Sequence, residues 1–343
     1  MSRHFIFSSF IFLFLIPPAW AQFDFARSEP DGTRYAGGPQ LGKSQSQIYR
    51  AGIILEPGTA LDYALVTIPV PMEWREQRIV SINEEKMDAG LASQIEYRPL
   101  PGGAMEMRLQ LWNVNITKPL EIVVAFELQN YELLPPENPS RYVIPSKVPP
   151  EVRQYLQPSI PCIESNESIF KKMYAEITKG RNTDWDKVEA IYSFVQNNVR
   201  YDNRAWKNPA KGALALVKMP SGQWSADCKD MSCLFVALCR AGKIPARIVR
   251  VPEHCYAEFY LELKQEGGQK NRGLPPGFWF PCQVSGTYAF GGIPETRVIL
   301  QKGDSFPHPD VDKPRAKTLF VREGFQGIGN PPTHRFVQEV VLQ

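Results

Sequence analysis

The sequence has almost no surplus of charge and no long apolar run beyond its first sixteen positions. Lys and Arg number 39 against 36 Asp and Glu, a net of +3, and no long basic run concentrates them. The electrostatic footprint of a nucleic-acid binder is therefore missing. After residue 21 no segment approaches the roughly 20 apolar residues of a membrane-spanning helix. The six cysteines include no C-x-x-C pair, which argues against a zinc site and against a thioredoxin-type redox motif. No metal and no organic cofactor is expected. Histidine is scarce, with four in the whole chain, and no internal repeat is present. What is abundant is proline, 31 residues among 343, clustered between periodic segments, so many connections are extended crossings rather than tight hairpins. A content of 43% hydrophobic and 22% charged residues excludes fibrous and disordered classes and supplies one or two cores.

Residues 1–21 read as an export signal. Arg3 is the positive lead, Phe5 to Ile16 is an apolar run too short to span a bilayer, and Pro17-Pro18 precedes Ala19-Trp20-Ala21, a small-x-small cleavage site. The mature chain then starts at Gln22 outside the cytoplasm, periplasmic or secreted. Residues 22–44 are Gly- and polar-rich and read as a flexible lead. From 45 to 135 short alternating apolar runs, such as Ala64 to Ile68, Met105 to Leu111 and Leu120 to Leu128, are punctuated by Pro-Gly pairs. That pattern predicts an all-β, sandwich-like module. A Pro-rich linker lying against both neighbours follows at 136–161, and the remainder, 162–343, forms the second domain.

In that remainder the period changes to that of helices. Ile169, Met173 and Ile177 predict one helix closed by Gly180, and Trp185, Val188, Ile191, Tyr192, Val195 and Val199 predict another, capped by Thr183 or Asp184. A third opens near Asp227 and ends at Ala241-Gly242. Strands come after it: Ala246 to Val251, His254 to Leu263, a run around Phe278 to Val284, then Arg297 to Leu300, Thr318 to Val321 and Arg335 to Leu342. Helices before strands make this domain α+β.

The chemistry centres on Cys228. A turn-rich lead, Ser221 to Ala226, delivers it to the first turn of an amphipathic helix, where free N–H groups and the helix dipole favour a thiolate. His254 starts a strand on its polar face and is placed to take the thiol proton. Gln283 lies on a neighbouring strand, where antiparallel pairing lets it reach the imidazole. The same register sets Cys255 opposite Cys282, within disulfide reach. Asp227 and Asp230 read as helix-capping and charge-balancing residues, and Cys233 and Cys239 as core. Arg247 fits either a structural or a substrate-side cation. Asn115-Ile116-Thr117 and Asn166-Glu167-Ser168 match the glycosylation pattern.

Four segments together resemble the transglutaminase-like superfamily of papain-related cysteine enzymes: Ala226 to Asp230, Leu238 to Arg247, His254 to Leu261 and Trp279 to Gln283. The resemblance spans roughly Pro161 to Phe306. The upstream β module is similar, more weakly, to those preceding such cores in exported bacterial proteins. The family resemblance implies Cys228 as nucleophile and His254 as base, with Gln283 standing where an Asp normally completes the triad. A neutral amide orients an imidazole by accepting its Nδ1 proton but adds no charge. Tyr256 stands where the family usually has Trp. The oxyanion hole would use the Cys228 N–H with a side-chain donor from Gln223 or Trp224. Two functions fit: an exported enzyme that forms a Cys thioester from a peptide or protein amide and passes it to water or an amine, or a catalytically inactive module for protein binding or envelope architecture.

Overall fold

The structure, a computed structural model, describes residues 37–86, 92–204, 208–220, 222–264, 275–308, 317–330 and 333–342. The signal segment lies outside them. Long strands open the described chain: β1 Gln40–Leu55, β2 Thr59–Val70, β3 Gln77–Lys86, β4 Ala92–Leu100, β5 Ala104–Ile116 and β6 Leu120–Leu134. Strand β1 starts at Gln40, inside the stretch 22–44 expected to be flexible, because its backbone pairs with Leu134 and Leu133 of β6. Alternate residues of β1, namely Tyr49, Ala51, Ile53 and Leu55, are fully buried, the period-2 signature of a half-covered sheet.

Next come β7 Tyr142–Val143, α1 Pro150–Arg153, α2 Ser168–Ile177, α3 Asp184–Asn198, β8 Arg200–Tyr201, α4 Ala213–Val217, β9 Ser225–Ala226 and α5 Cys228–Ala241. After α5 follow β10 Ala246–Val251, β11 His254–Leu263, β12 Gly277–Gln283, β13 Ala289–Phe290, β14 Gln301–Lys302, β15 Phe306–Pro307, β16 Lys317–Thr318, β17 Gly324–Asn330 and β18 His334–Leu342. One sheet has the order β18-β1-β6-β3. A second runs β13-β12-β11-β10-β14-β5-β2-β17, with β4 on β5 and β7 on β11. Tyr97 of β4 meets Phe126 of β6 edge to face with ring centroids 6.0 Å apart, so the N-terminal sheets pack as a sandwich.

Three features bear on the domain boundaries. First, the last two strands do not stay with the helical region: β17 pairs with β2 and β18 with β1 along nine residues. The 162–343 segment thus returns to the N-terminal sandwich to cover strand edges that lack a sequence-local partner. Second, the 136–161 linker lies against both of its neighbours. Tyr142 lies 4.7 Å, centroid to centroid, from Phe280, and its hydroxyl accepts the Gly38 N–H. Third, Arg297 to Leu300 is not a strand. Gln77 holds this segment instead, donating to the Ile299 carbonyl and accepting its N–H.

The helices follow their local signals. Thr183 caps α3 in a reciprocal box with Asp186, and Gly180 takes a positive φ of 75° beyond α2. Helix α5 is buried from Cys228 to Arg240, as a helix enclosed on all sides must be. Its end departs from expectation. Gly242 has φ −86° and Lys243 takes the left-handed conformation. Gly242 is needed for space, since a Cβ there would sit 2.1 Å from Cε2 of Tyr174.

The second face of strand β11 is partly exposed only near its ends, at His254 and Glu262. Cys255, Ala257, Phe259, Leu261 and Leu263 enter the core around α5, as expected. On the other face Glu258 is also buried, where a polar, solvated surface was expected. Its carboxylate binds Arg247, directly opposite in register, at 2.7 Å and Lys302 at 2.6 Å. Lys302 also pairs with Glu76, and the Arg247 guanidinium stacks 4.0 Å from the Trp279 ring centre. Arg247 is thus a structural cation. Burial works to raise the Glu258 pKa, but the charges of Lys302 and Arg247 outweigh it and hold the carboxyl below its usual value. Replacing Lys302→Met leaves two buried carboxylates facing each other, so unfolding in denaturant should show a loss of about 3–5 kcal/mol.

Candidate active site

Cys228 is the first residue of α5 and is 1% exposed. Asp227 caps the helix: its Oδ1 accepts from the N–H groups of Lys229 at 2.9 Å and Asp230 at 3.2 Å. The other carboxylate oxygen pairs with the Lys229 ammonium. The Cys228 N–H precedes the two that Asp227 takes, and it points out of the helix N-terminus. Asp230 does more than balance charge. Its Oδ1 accepts the N–H groups of Lys211 and Gly212 at 2.8 and 2.9 Å, fixing the chain that enters α4.

His254 opens β11 and Gln283 closes β12. Cys282 pairs with Ala257, so Gln283 falls one step diagonally from His254 on the same sheet face. The His254 Nε2 lies 3.0 Å from the Gln283 Oε1. An amide oxygen only accepts, so Nε2 carries the proton and Nδ1 is left for the sulfur. This corrects the expectation that Nδ1 would face the amide. The Gln283 main-chain carbonyl accepts from Gln196 of α3 at 3.3 Å, which ties β12 to the helical layer.

The structure therefore brings Cys228, His254 and Gln283 together. The Cys228 thiol is lowered to about 5. The Cys255 thiol, donating to the sulfur, contributes most; the hydrogen bond and charge of His254 and the Cys255 N–H add to it, against the opposing effect of burial.

Other expectations fail. Cys255 and Cys282 are two register positions apart rather than opposed, and all six cysteines are free thiols. The Cys255–Cys282 disulfide is excluded by that register. The Trp224 indole N–H donates to the Met219 carbonyl at 3.2 Å, and its ring packs against Phe194. It is therefore committed away from an oxyanion. Gln223 is exposed on the turn before β9.

The places of two residues at the site escaped the sequence reading. Cys255 faces the helix, with its Sγ 3.9 Å from the Oγ of Ser232; the signal available was the i, i+4 spacing of Cys228 and Ser232. Tyr201 is 46% exposed on β8, paired with Ala226 just ahead of Cys228. Partial burial and then the negative charge of Cys228 raise its phenol pKa. Its signal was its place two residues after Val199, where the second predicted helix ends. Among the described residues no cluster of His, Cys, Asp or Glu could hold a metal ion, and no helix is long and apolar enough to cross a membrane.

Gln283→Leu should free the imidazole and slow haloacetamide alkylation of Cys228 at pH 6 by about 10- to 100-fold, less than the roughly 10⁴-fold cost of losing a charged triad acid. Gln283→Glu keeps an acceptor and should retain the rapid labelling. Peptide mass spectrometry reads both.

No curated protein matches this sequence. Among solved structures, a candidate cysteine protease from Cytophaga hutchinsonii aligns over 89% of this chain and 92% of its own with a TM-score of 0.55 at 16% identity. A candidate protease from Parabacteroides distasonis aligns over 70% of this chain and 47% of its own at 14% identity, with a TM-score of 0.26. The first shares the fold; the second is too distant to carry an argument. Residues 171–283 match the core of the transglutaminase-like superfamily, a span that holds α3, α5, Cys228, His254 and Gln283. Residues 171–283 are thus similar to a transglutaminase-like core, and they are joined to a strand-rich N-terminal region.

Proposed function

We propose that this chain is an exported cysteine enzyme that takes the acyl group of a peptide or protein amide onto Cys228. The observation that carries the reading is the relay Cys228–His254–Gln283, with Nε2 held at 3.0 Å by the amide oxygen and the thiol lowered to about 5. Export is supported by residues 1–21, with their charged lead, apolar run and small-x-small site.

In the reaction the Cys228 sulfur attacks the amide carbonyl, and the Cys228 N–H at the helix N-terminus stabilises the developing oxyanion. The His254 imidazolium gives its Nδ1 proton to the leaving amine as the carbon–nitrogen bond breaks. A thioester remains. His254, now neutral, takes a proton from water or from an incoming amine, which attacks the thioester and restores the thiolate. Gln283 keeps the ring aligned through both halves. The neutral amide at Gln283 favours the second reading, a catalytically silent binding module, because it adds no charge to stabilise the imidazolium.

The test uses residues 22–343 in two steps. Alkylation of Cys228 should rise with pH around 5, because the thiolate is populated above that value, and His254→Ala should move the rise toward the ordinary thiol value of about 8.5. Acid-quenched reactions with peptide amides should then leave an acyl adduct on the Cys228 peptide that hydroxylamine removes and that Cys228→Ala lacks. A Cys228 that resists alkylation across pH 4–9 rejects the enzyme; a reactive Cys228 with no acyl adduct on any peptide leaves the binding module as the function.

A further inference from the structure

The catalytic scheme gives the Cys255 thiol no bond to make or break. Cys255 follows His254 in sequence but sends its side chain through the opposite face of β11, into the core against α5. There it meets Ser232 at 3.9 Å and hydrogen-bonds the sulfur of Cys228. Cys228 and Ser232 are one helical turn apart and face the same side. The nucleophile thus lies between an imidazole and a second thiol, and that thiol is fully buried.

The two thiols differ in kind. Burial and the neighbouring Cys228 charge push the Cys255 thiol well above its ordinary value, so it stays protonated while Cys228 is ionised. An oxidant therefore reacts with Cys228 first.

We propose that Cys228 and Cys255 form a hydroperoxide-modification site in which Cys255 is the resolving thiol; this rests on the reading of Cys228 as the reactive nucleophile. In the first step the Cys228 sulfur attacks one peroxide oxygen, a sulfur–oxygen bond forms, the oxygen–oxygen bond breaks, and hydroxide leaves with a proton from the His254 imidazolium as water. Cys228 is oxidised by two electrons to the sulfenic acid and the peroxide is reduced. The sulfenic acid is neutral, so the charge that helped to keep Cys255 protonated is gone. The Cys255 sulfur then attacks Cys228 Sγ, its proton leaves with the hydroxyl as water, and a sulfur–sulfur bond replaces the sulfur–oxygen bond. Thiol reductant reverses the lock by disulfide exchange. Without Cys255 the sulfenic acid meets further peroxide and passes to sulfinic acid, which dithiothreitol does not reduce.

Cys162 and Cys233 form a second hydrogen-bonded thiol pair and provide an internal comparison. Residues 22–343 are treated with hydrogen peroxide, blocked with iodoacetamide and digested, with and without dithiothreitol. The expected result is a linked Cys228–Cys255 peptide, lighter by two hydrogens than the dithiol, with Cys228 alkylation lost and then restored by reductant. In Cys255→Ser the peroxide-treated Cys228 should carry sulfinic acid, and reductant should restore at least about tenfold less alkylation than in the wild type. Wild-type Cys228 passing to sulfinic acid without a link, or linkage confined to Cys162–Cys233, overturns the proposal while leaving the nucleophile intact. A Cys228 inert to iodoacetamide before any peroxide removes the nucleophile reading and the lock with it. The linkage map in the wild type stands whether or not the variant folds.

Discussion

The site depends on one contact, the N-terminus of α5 pressed against the start of β11. A helix end leaves N–H groups without helical partners, and here Asp227 satisfies two of them while the end itself meets the strand that carries His254 and Cys255. The geometry lets a buried sulfur be charged, because His254 and the S–H and N–H of Cys255 act on it. Moving β11 by one residue would turn His254 into the core and Cys255 outward, since side chains alternate along a strand. The register of β10, β11 and β12 is therefore part of the site.

That register is held by charge as well as by packing. Glu258 lies four residues along β11 from His254 on the same face, and its carboxylate is clamped by Arg247 from β10 and Lys302 from β14. Lys302 reaches on to Glu76, ahead of β3. The β14 strand meets β5 at the pair Gln301 and Ala104, which makes the sheet continuous from the catalytic strands into the sandwich. The N-terminal strands are thus structural support for the histidine strand, and the return of β17 and β18 closes them with the chain's last residues.

Where a local signal dominates, the sequence was readable. Thr183 with Asp186, Gly180 after α2 and Asp227 before α5 mark helix boundaries that the fold keeps, and the alternation from Cys255 to Leu263 names the core face of β11 correctly. Cys228, His254 and Gln283 were legible as a set because helix start, strand start and strand end follow in a fixed order. Features set by distant partners were hidden. Nothing local in β18 says that it pairs with β1, nearly three hundred residues away in sequence. The acidic residue in His254 to Glu258 reads as solvated until Lys302 is known to lie over it. The Cys255–Cys282 pairing failed by two residues, since the register came from the strand boundaries alone. Trp224 failed because an indole N–H bonds whichever carbonyl is near, and that carbonyl belongs to Met219.

The neutral residue at 283 changes how the thiolate is supported. A carboxylate in that position would stabilise the imidazolium and, through it, the ion pair. In this site Gln283 supplies orientation alone, and the stabilisation acts on the sulfur directly, through the S–H of Cys255, through His254 and through the Cys255 N–H. The two arrangements are not equivalent. Donors aimed at a thiolate lower its pKa and also its nucleophilicity, since a more stable anion gains less on forming a bond. A carboxylate behind the histidine leaves the sulfur lone pairs freer. The charge missing from Gln283 thus leaves the ionisation of the sulfur to the donors around it, the Cys255 thiol first among them.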